Sequence, residues 1–597
     1  MCISALFYQG VFPVFTVDHL LRDYWPEFNA SEWQKRFLRR AMREQEFIRF
    51  AAEYPHLHGL EMVEQILEYL DVRCELTARE LEQIPVSGPL VLVANHPLGA
   101  LDGLALLHAV AQVRRDVKIV ANRLLMSLSS LHPVLLPVDN MGQKTGREQL
   151  SGIRQQLANQ GVVIIFPAGE VSRLSSKGIK DGRWHHSFVR LAAKSRAPVL
   201  PVFVAGKNSL PFYLTAKLCP PAALLMLVRE MFRCRGTRVK MQVGARIPFS
   251  NWYDGHTPAK ELAARLRKHL YRIARGRPGL FQTENAIARP EDRGAIRKQL
   301  FSSELLGRLP DGKFIFLWQR GKESYVPLLR EIGRLREIAF RAVGEGSGKR
   351  RDLDRYDDDY YHLVLWDDDT LEIVGAYRLL PTASQLSAEE SPGIYSQSLF
   401  EYDPGMLPVL SQGIELGRSF VQPAYWGSRG LEYLWMGIGA FLARYPHIRY
   451  LFGPVSISGG LPLAARDLLV AFYRLYFPPA AELATSRRPY PASLPEVLAQ
   501  FSGDDYPQDL RRLKRLLANM GCAIPPLYKQ YSELCEPGGV QFIDFGSDPD
   551  FNNCVDGLVL VDLSLIKPLR YQRYIGVFTR QDALNTAEQN TLAETAE

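Results

Sequence analysis

The chain has 597 residues, 47% hydrophobic and 23% charged, a globular composition too long for one ordinary domain, which excludes a disordered or low-complexity protein. Its net charge of +8 (72 Lys+Arg against 64 Asp+Glu) suits an anionic partner, whether membrane surface, acidic carrier protein or nucleic acid. Seven scattered cysteines (Cys2, Cys74, Cys219, Cys234, Cys522, Cys535, Cys554) without C-x-x-C spacing argue against a disulfide framework and a structural zinc, and favour a reducing cytosol.

The N-terminus has no basic stretch before its apolar residues, so it does not read as a signal peptide. No apolar run reaches the length of about 18 residues read as a spanning helix, and any membrane contact is expected to be peripheral. Region 1–85 is expected to be helical, with Leu20, Leu21, Tyr24 and Trp25, then Phe37, Leu38 and Met42, spaced for helix among Arg and Glu. From 86 to 280 strand-like runs at 89–94, 117–120, 162–166 and 198–204 alternate with amphipathic helices, which predicts an α/β layer structure.

The first of these runs leads into Asn95-His96-Pro97-Leu98-Gly99-Ala100-Leu101-Asp102-Gly103. Pro97 and Gly99 break the strand, and Leu104, Leu107, His108 and Val110 continue at helical spacing. A histidine is thereby delivered on a turn at a strand end, where open α/β sheets place their chemistry, with a carboxylate six residues on. A neutral imidazole held by a carboxylate is a general base for a hydroxyl proton. The run at 162–166 continues as Pro167-Ala168-Gly169-Glu170-Val171-Ser172-Arg173, in which Gly169 permits close backbone approach and Arg173 offers an anion clamp.

These blocks, with the strand Pro198-Val199-Leu200-Pro201-Val202-Phe203-Val204 after them, resemble the glycerolipid O-acyltransferase signatures NH-x4-D, F-P-E-G-x-R-S and a V-P-V strand over about residues 85–250. The resemblance implies that His96 deprotonates the acceptor hydroxyl, that Asp102 orients it, and that Asn95, Gly169, Glu170 and Arg173 bind substrate. The spacing here is His-x5-Asp, and Ala168 replaces the usual Glu, which points away from a glycerol phosphate acceptor.

His185 and His186 read either as acceptor-pocket residues or as a solvated helix start, and His56 and His58 as surface or packing residues. The apolar run 220–228, followed by Arg229, Arg233, Arg235, Arg238 and Lys240, reads either as core leading into a basic strand or as an interfacial element meeting lipid headgroups. A connector is expected over 281–312, where Pro290 and Gly294 interrupt the pattern; a second α/β domain over 313–578; and a polar tail over 579–597.

The second domain predicts a helix at 335–341, a charged run from Lys349 to Tyr360, a hairpin (362–366 and 373–379) and a strand reading Glu415-Leu416-Gly417-Arg418-Ser419-Phe420-Val421. Trp366, Trp426 and Trp435 are expected in the core, and Gly344-x-Gly346-x-Gly348 does not fit a dinucleotide loop. The Asp352–Asp359 run is either a solvated loop or part of a site; the hairpin and the Glu415/Arg418 strand favour the site. An amine acceptor arrives as ammonium, needs carboxylates to bind it and must lose a proton before attacking a thioester.

Over about 330–460 the pattern resembles the N-acyltransferase (GNAT-like) fold of acyl-homoserine-lactone synthases and ornithine N-acyltransferases. On that resemblance Glu415 is the base or positions its water, Asp354 and Asp357 hold the acceptor's charge, and Arg378 and Arg418 pair with them or grip the acceptor carboxylate. The whole chain resembles the bifunctional ornithine lipid synthases, including Tyr54-Pro55-His56-Leu57-His58-Gly59-Leu60. The fold class so implied is α/β: an N-terminal glycerolipid acyltransferase αβ fold with a helical extension, plus a C-terminal GNAT-like α/β domain.

The resemblance implies N-acylation of ornithine from 3-hydroxyacyl carrier protein, then O-acylation of the 3-hydroxyl. Acyl carrier protein or acyl-CoA is the donor, with no metal or other cofactor and no nucleic acid. The expected location is cytoplasmic, on the inner face of the cytoplasmic membrane. Alternatives are a glycine or lysine lipid synthase, a lysophospholipid or 1-acylglycerol-3-phosphate-type O-acyltransferase with an accessory GNAT-like domain, and a non-enzymatic membrane-binding module.

Overall fold

Seven strands rich in Val, Ile and Leu build the sheet of the first unit: β1 (Arg73–Glu75), β2 (Leu90–Ala94), β3 (Val117–Ala121), β4 (Leu135–Pro137), β5 (Val162–Ile165), β6 (Val199–Val204) and β7 (Arg238–Val243). The computed structural model describes residues 16–24, 30–121, 126, 128–138, 147–175, 178–218, 220–321, 323, 325–386 and 393–579. Cys2, Cys219, Trp25, the side chains of Leu20, Tyr24 and residues 220–225, and all of the expected tail but Thr579 lie outside them. The chain divides into two units, Met1–Ala286 and Ile287–Glu597.

In the first unit the strand order is β1-β7-β6-β2-β5-β3-β4, parallel throughout except for the β6–β7 pair. Helices α1 (Glu32–Ala41), α2 (Ala100–Ala111), α3 (Ser187–Lys194), α4 (Leu210–Leu218), α5 (Pro220–Arg233) and α6 (Ala259–Ile273) frame the region used below. Central β2 is buried along its whole length, as a parallel strand covered on both faces must be. Leu90, Leu92 and Ala94 pack with Leu101 and Leu104 of α2, while Val91 and Val93 pack with Phe188 of α3 and Leu266 of α6. The chain crosses from β2 to β3 on one side and from β5 to β6 on the other, so the C-terminal end of β2 is a topological switch point.

The described residues up to 85 form helices at 17–24, 32–41, 44–53, 59–69 and 78–81, together with β1, which pairs with β7 through Arg73↔Arg238 and Glu75↔Lys240. Three residues are too few for a periodic signal, and the partner strand is far away in sequence.

The second unit holds an eight-stranded sheet: β8 (Glu304–Arg308), β9 (Phe314–Gln319), β10 (Tyr361–Asp367), β11 (Glu372–Pro381), β12 (Gly413–Val421), β13 (Tyr450–Ile457), β14 (Val540–Asp548) and β15 (Cys554–Asp562). Its order is β8-β9-β10-β11-β12-β13-β15-β14, antiparallel except for β12–β13. Those two strands pair only over Gly413–Glu415 and Tyr450–Phe452, and beyond that point they leave backbone groups unpaired with each other. Helix α7 (Pro327–Ala342) packs on one face of this sheet, and α8 (Gly430–Arg444) and α9 (Leu463–Tyr476) on the other.

The expected connector, 281–312, carries a helix and a strand over 293–308. Glu284 bridges to Arg246 in the first unit, while Arg293–Phe301 forms a helix with Ile296 and Leu300 buried, followed by β8. Pro290 and Gly294 interrupt the pattern only at the helix start, where they are tolerated. Trp366 and Trp435 are in the core, but Trp426 is 49% exposed on a turn, its Nε1 donating to the Val421 carbonyl at 2.9 Å.

Candidate active sites

At the end of β2, His96 is pinned at three points. Its N–H donates to Asp181 Oδ1 at 3.1 Å, its carbonyl accepts from Ser172 N–H at 2.7 Å, and its Nδ1 lies 3.1 Å from Asp102 Oδ2. That same Asp102 oxygen accepts from Leu98 N–H at 2.8 Å and Gly99 N–H at 3.2 Å, so it caps the start of α2 while orienting the ring. The contact places the ring proton on Nδ1 and frees Nε2 to accept one. Burial pushes the Asp102 carboxyl up, and the His96 ring and the two N–H groups pull it back.

The extra residue in His-x5-Asp is absorbed before the helix begins. Gly99 takes φ 79° at the helix cap, and a Cβ there would come within 3.0 Å of Leu227. Asp102 thus enters from the first turn of α2 while His96 stays on the loop.

The His96 ring stacks on Phe166 with centroids 4.0 Å apart. His96, Gly99, Phe166 and Gly169 line a cavity of about 340 Å³ together with Phe47, Phe50, Met62, Leu104, Leu107, Leu227, Met231 and Phe232. An apolar hollow ending at an imidazole suits a long hydrocarbon chain.

The other residues of the two blocks divide. Gly169 turns at φ 66°, and Glu170 pairs with Arg173, both exposed. Such a surface pair is worth only about 0–1 kcal/mol, so Arg173 is available to an anionic ligand. Asn95, assigned to substrate by the motif, is 3% exposed and has no side-chain atom to spare. Its amide donates to the Val204 carbonyl and accepts from Val204 N–H, both at 2.8 Å, extending the β2–β6 pairing by one step. His186 is exposed just ahead of α3, His185 is half-buried, and His56 and His58 are exposed.

In the second unit the charged run is a buried network. Asp352 and Asp357 are 4% and 1% exposed, so the solvated-loop alternative fails for them. Asp357 receives Arg336 through both oxygens (3.0 and 2.9 Å) and Arg378 Nη1 at 3.2 Å. Arg378 Nη1 also reaches Asp354 at 2.6 Å, and Arg418 lies 3.4 Å from Asp354 and 3.6 Å from Asp352. Burial pushes the Asp357 carboxyl up, but Arg336 and Arg378 more than offset it and hold it well below the usual carboxylate range. Burial also keeps neighbouring His362 neutral, with its pKa lowered to about 4.

Arg418 sits at φ 52°, on the bulge where β12 slips against β11. The strain turns its side chain toward the aspartates, with Tyr395 and Phe551 rings each 5.0 Å from the guanidinium. Arg378 lies under Tyr360 and Tyr395, and its Nε and Nη2 have no hydrogen-bond partner among the described residues.

Glu415 is 1% exposed and accepts four hydrogen bonds, from Tyr360 Oη, Tyr395 N–H at 3.0 Å, Ser396 N–H at 2.7 Å and Ser396 Oγ. Burial raises its pKa, while Ser396 and Tyr360 lower it. With both oxygens occupied, Glu415 fastens the 395–396 turn to β12. The sequence reading gave no role to Arg336, Asp181 or Ser396. For Arg336 a signal existed: it shares the buried face of α7 with Leu328, Leu329, Ile332 and Leu335.

A family profile described as "Acyltransferase" matches residues 26–273, and one described as "Acetyltransferase (GNAT) domain" matches 335–436. The chain is 36% identical over 221 residues to a glycine N(alpha)-acyltransferase of Bacteroides thetaiotaomicron, spanning 35% of this chain and 66% of that one. It is 30% identical to a lyso-glycine lipid O-acyltransferase of Phocaeicola vulgatus, over 40% of this chain and 85% of that one. It is likewise 30% identical to an L-ornithine N(alpha)-acyltransferase of Rhizobium meliloti, over 43% of this chain and 81% of that one.

Proposed function

The chain is an acyltransferase of the family that acylates aminolipids, and on that premise we propose that it carries out two successive acylations on one amino acid. The second unit forms the amide: an amino acid, ornithine in the first instance, loses a proton from its ammonium and attacks the thioester of a 3-hydroxyacyl carrier protein or coenzyme A. The C–S bond breaks as the C–N bond forms, and of the two protons the nitrogen gives up, one leaves on the thiol and one goes to solvent. The first unit then esterifies the 3-hydroxyl from a second acyl thioester. One observation carries the reading: a histidine base opening on an apolar cavity and an Arg–Asp network on a GNAT sheet occur in one chain.

In the ester step His96 Nε2 takes the hydroxyl proton as the oxygen attacks the thioester carbonyl. The C–S bond breaks, and the imidazolium returns the proton to the departing thiolate. Asp102 holds the tautomer and balances the imidazolium charge. Gly169 leaves room for the substrate backbone, and Glu170 and Arg173 meet the lyso-lipid headgroup. In the amide step Asp354, 21% exposed and the most accessible of the three aspartates, faces the acceptor's ammonium. Arg378 and Arg418 receive its carboxylate, with Asp357 holding Arg378 and Glu415 shaping the Tyr395 turn.

Two helix faces support peripheral attachment to an anionic membrane and docking of an acidic carrier protein. On α1 the exposed side is Trp33, Arg36, Phe37 and Arg40; on α4 it is Leu210, Leu214, Lys217 and Leu218. Apolar residues and cations sharing a solvent face suit a headgroup boundary. No helix among the described residues is long and apolar enough to cross a membrane.

The glycine-lipid relatives favour glycine as a second reading of the amino acid. Expression of the whole chain in a host without aminolipids, fed labelled ornithine or glycine, tests both. A phosphorus-free, ninhydrin-positive diacyl lipid carrying one label is expected; absence of any such lipid contradicts the two-step reading.

A further inference from the structure

Asp181 follows the Gly178–Lys180 strand, outside both motif blocks, and is 3% exposed. Three donors converge on its carboxylate: His96 N–H at 3.1 Å and Ser172 Oγ at 2.6 Å on Oδ1, and Trp184 Nε1 at 2.9 Å on Oδ2. Among the described residues no Arg or Lys pairs with it. A buried carboxylate is expensive unless hydrogen-bonded, and here every neighbour is a donor, so an acceptor-only side chain is what the site requires. Asparagine would turn an N–H2 toward one of them.

The residue's own backbone is fixed to α6, its N–H donating to Tyr271 Oη at 2.9 Å and its carbonyl accepting from Arg267 at 2.5 Å. Ser172, held by the carboxylate, in turn donates its N–H to the His96 carbonyl at 2.7 Å. Asp181 therefore ties the His96 turn, the Gly169–Arg173 turn and α6 to one point.

We propose that Asp181 is a positioning residue for ester formation: it fixes the main chain of His96, as Asp102 fixes the ring, so that Nε2 stands at the end of the apolar cavity. The proposal rests on the reading of His96 as the base. Its loss displaces the base without touching substrate, and a displacement of about 1 Å costs on the order of 10²-fold in rate.

The test uses the whole purified chain with a lyso-lipid and an acyl thioester, alongside lipid extracts from cells expressing each variant. Asp181→Ala is expected to lower kcat for ester formation by on the order of 10²-fold with KM for the lyso-lipid unchanged. Monoacylated amide then accumulates while amide formation proceeds. Asp181→Asn falls similarly, because its amide N–H2 opposes the Trp184 N–H. Adding Trp184→Phe to Asp181→Asn removes that donor and restores part of kcat; added to Asp181→Ala it restores none. If Asp181→Ala is poorly folded, the Asn pair carries the test.

Wild-type kcat in Asp181→Ala, a rise in KM at constant kcat, or no rescue of Asp181→Asn by Trp184→Phe overturns the proposal. Full ester formation by His96→Ala contradicts instead the reading of His96 on which it rests.

Discussion

At the end of β2 one histidine is held through its N–H, its carbonyl and Nδ1, whereas in the second unit Arg336 of α7, Arg378 of β11 and Arg418 of β12 neutralise three aspartates of the 352–357 segment inside the protein. The contrast follows from the acceptors each site would handle. A hydroxyl is neutral and needs only an oriented base, so the first site concentrates its scaffold on one ring. An amino acid arrives as a zwitterion, and a site for it must keep both signs of charge buried before substrate comes, which only mutual pairing allows. In the second site most of the charge is therefore structural, and the partly exposed Asp354 with the edges of Arg378 and Arg418 that have no hydrogen-bond partner among the described residues remain for a ligand.

The largest effect that would sharpen this contrast is expected in the first site. Asp102→Ala removes the one oxygen on which the ring N–H and the two backbone N–H groups meet. Ester formation should fall by about 10²–10⁴-fold while amide formation continues, measured as single-turnover transfer to lyso-lipid. A rate close to wild type would mean that the ring needs no orienting partner.

Next comes Asp357→Asn, which leaves Arg336 and Arg378 short of a counter-charge at a fully buried position. Unfolding of the second unit by urea should register a loss of about 3–5 kcal/mol. A loss under about 1 kcal/mol, the range of a surface pair, would break the claim that the network is structural.

A smaller effect concerns Glu345 and Asp556, joined through Ser456: its hydroxyl donates to Glu345 at 2.9 Å, and it faces Asp556 across β13–β15. Burial pushes both carboxyls up to about 7. Free carboxyls titrate near 4, so the folded chain binds these protons more tightly than the unfolded one does. Their contribution to stability is complete below pH about 4 and is lost as pH rises through about 7. Asp556→Asn should lessen the decline in Tm between those limits, and an unchanged Tm–pH curve would contradict its burial as an acid.

Much of the architecture was legible because buried parallel strands advertise themselves: 162–165 is an unbroken run of Val and Ile, and the strand at 90–94 runs into a Pro-Gly turn that carries a histidine. The O-acyltransferase motif placed His96 and Asp102, but it could not separate Asn95 the strand brace from Asn95 the ligand. That distinction depends on Val204, 109 residues away. Asp181 was hidden for the same reason, being 85 residues from His96 with no periodic pattern around it. Glu415 was visible as an acid on a strand, but not the Tyr360 and Ser396 donors that occupy it, since both come from irregular segments. Sequence periodicity reports which face is buried, not which polar groups meet there.

The central claim, two acylations divided between two sites, is tested most directly by the lipids of cells expressing His96→Ala beside wild type. The account predicts that wild type makes a diacyl aminolipid and that His96→Ala stops at the monoacylated amide, which accumulates. A diacyl product from His96→Ala, or loss of the amide along with the ester, would contradict it.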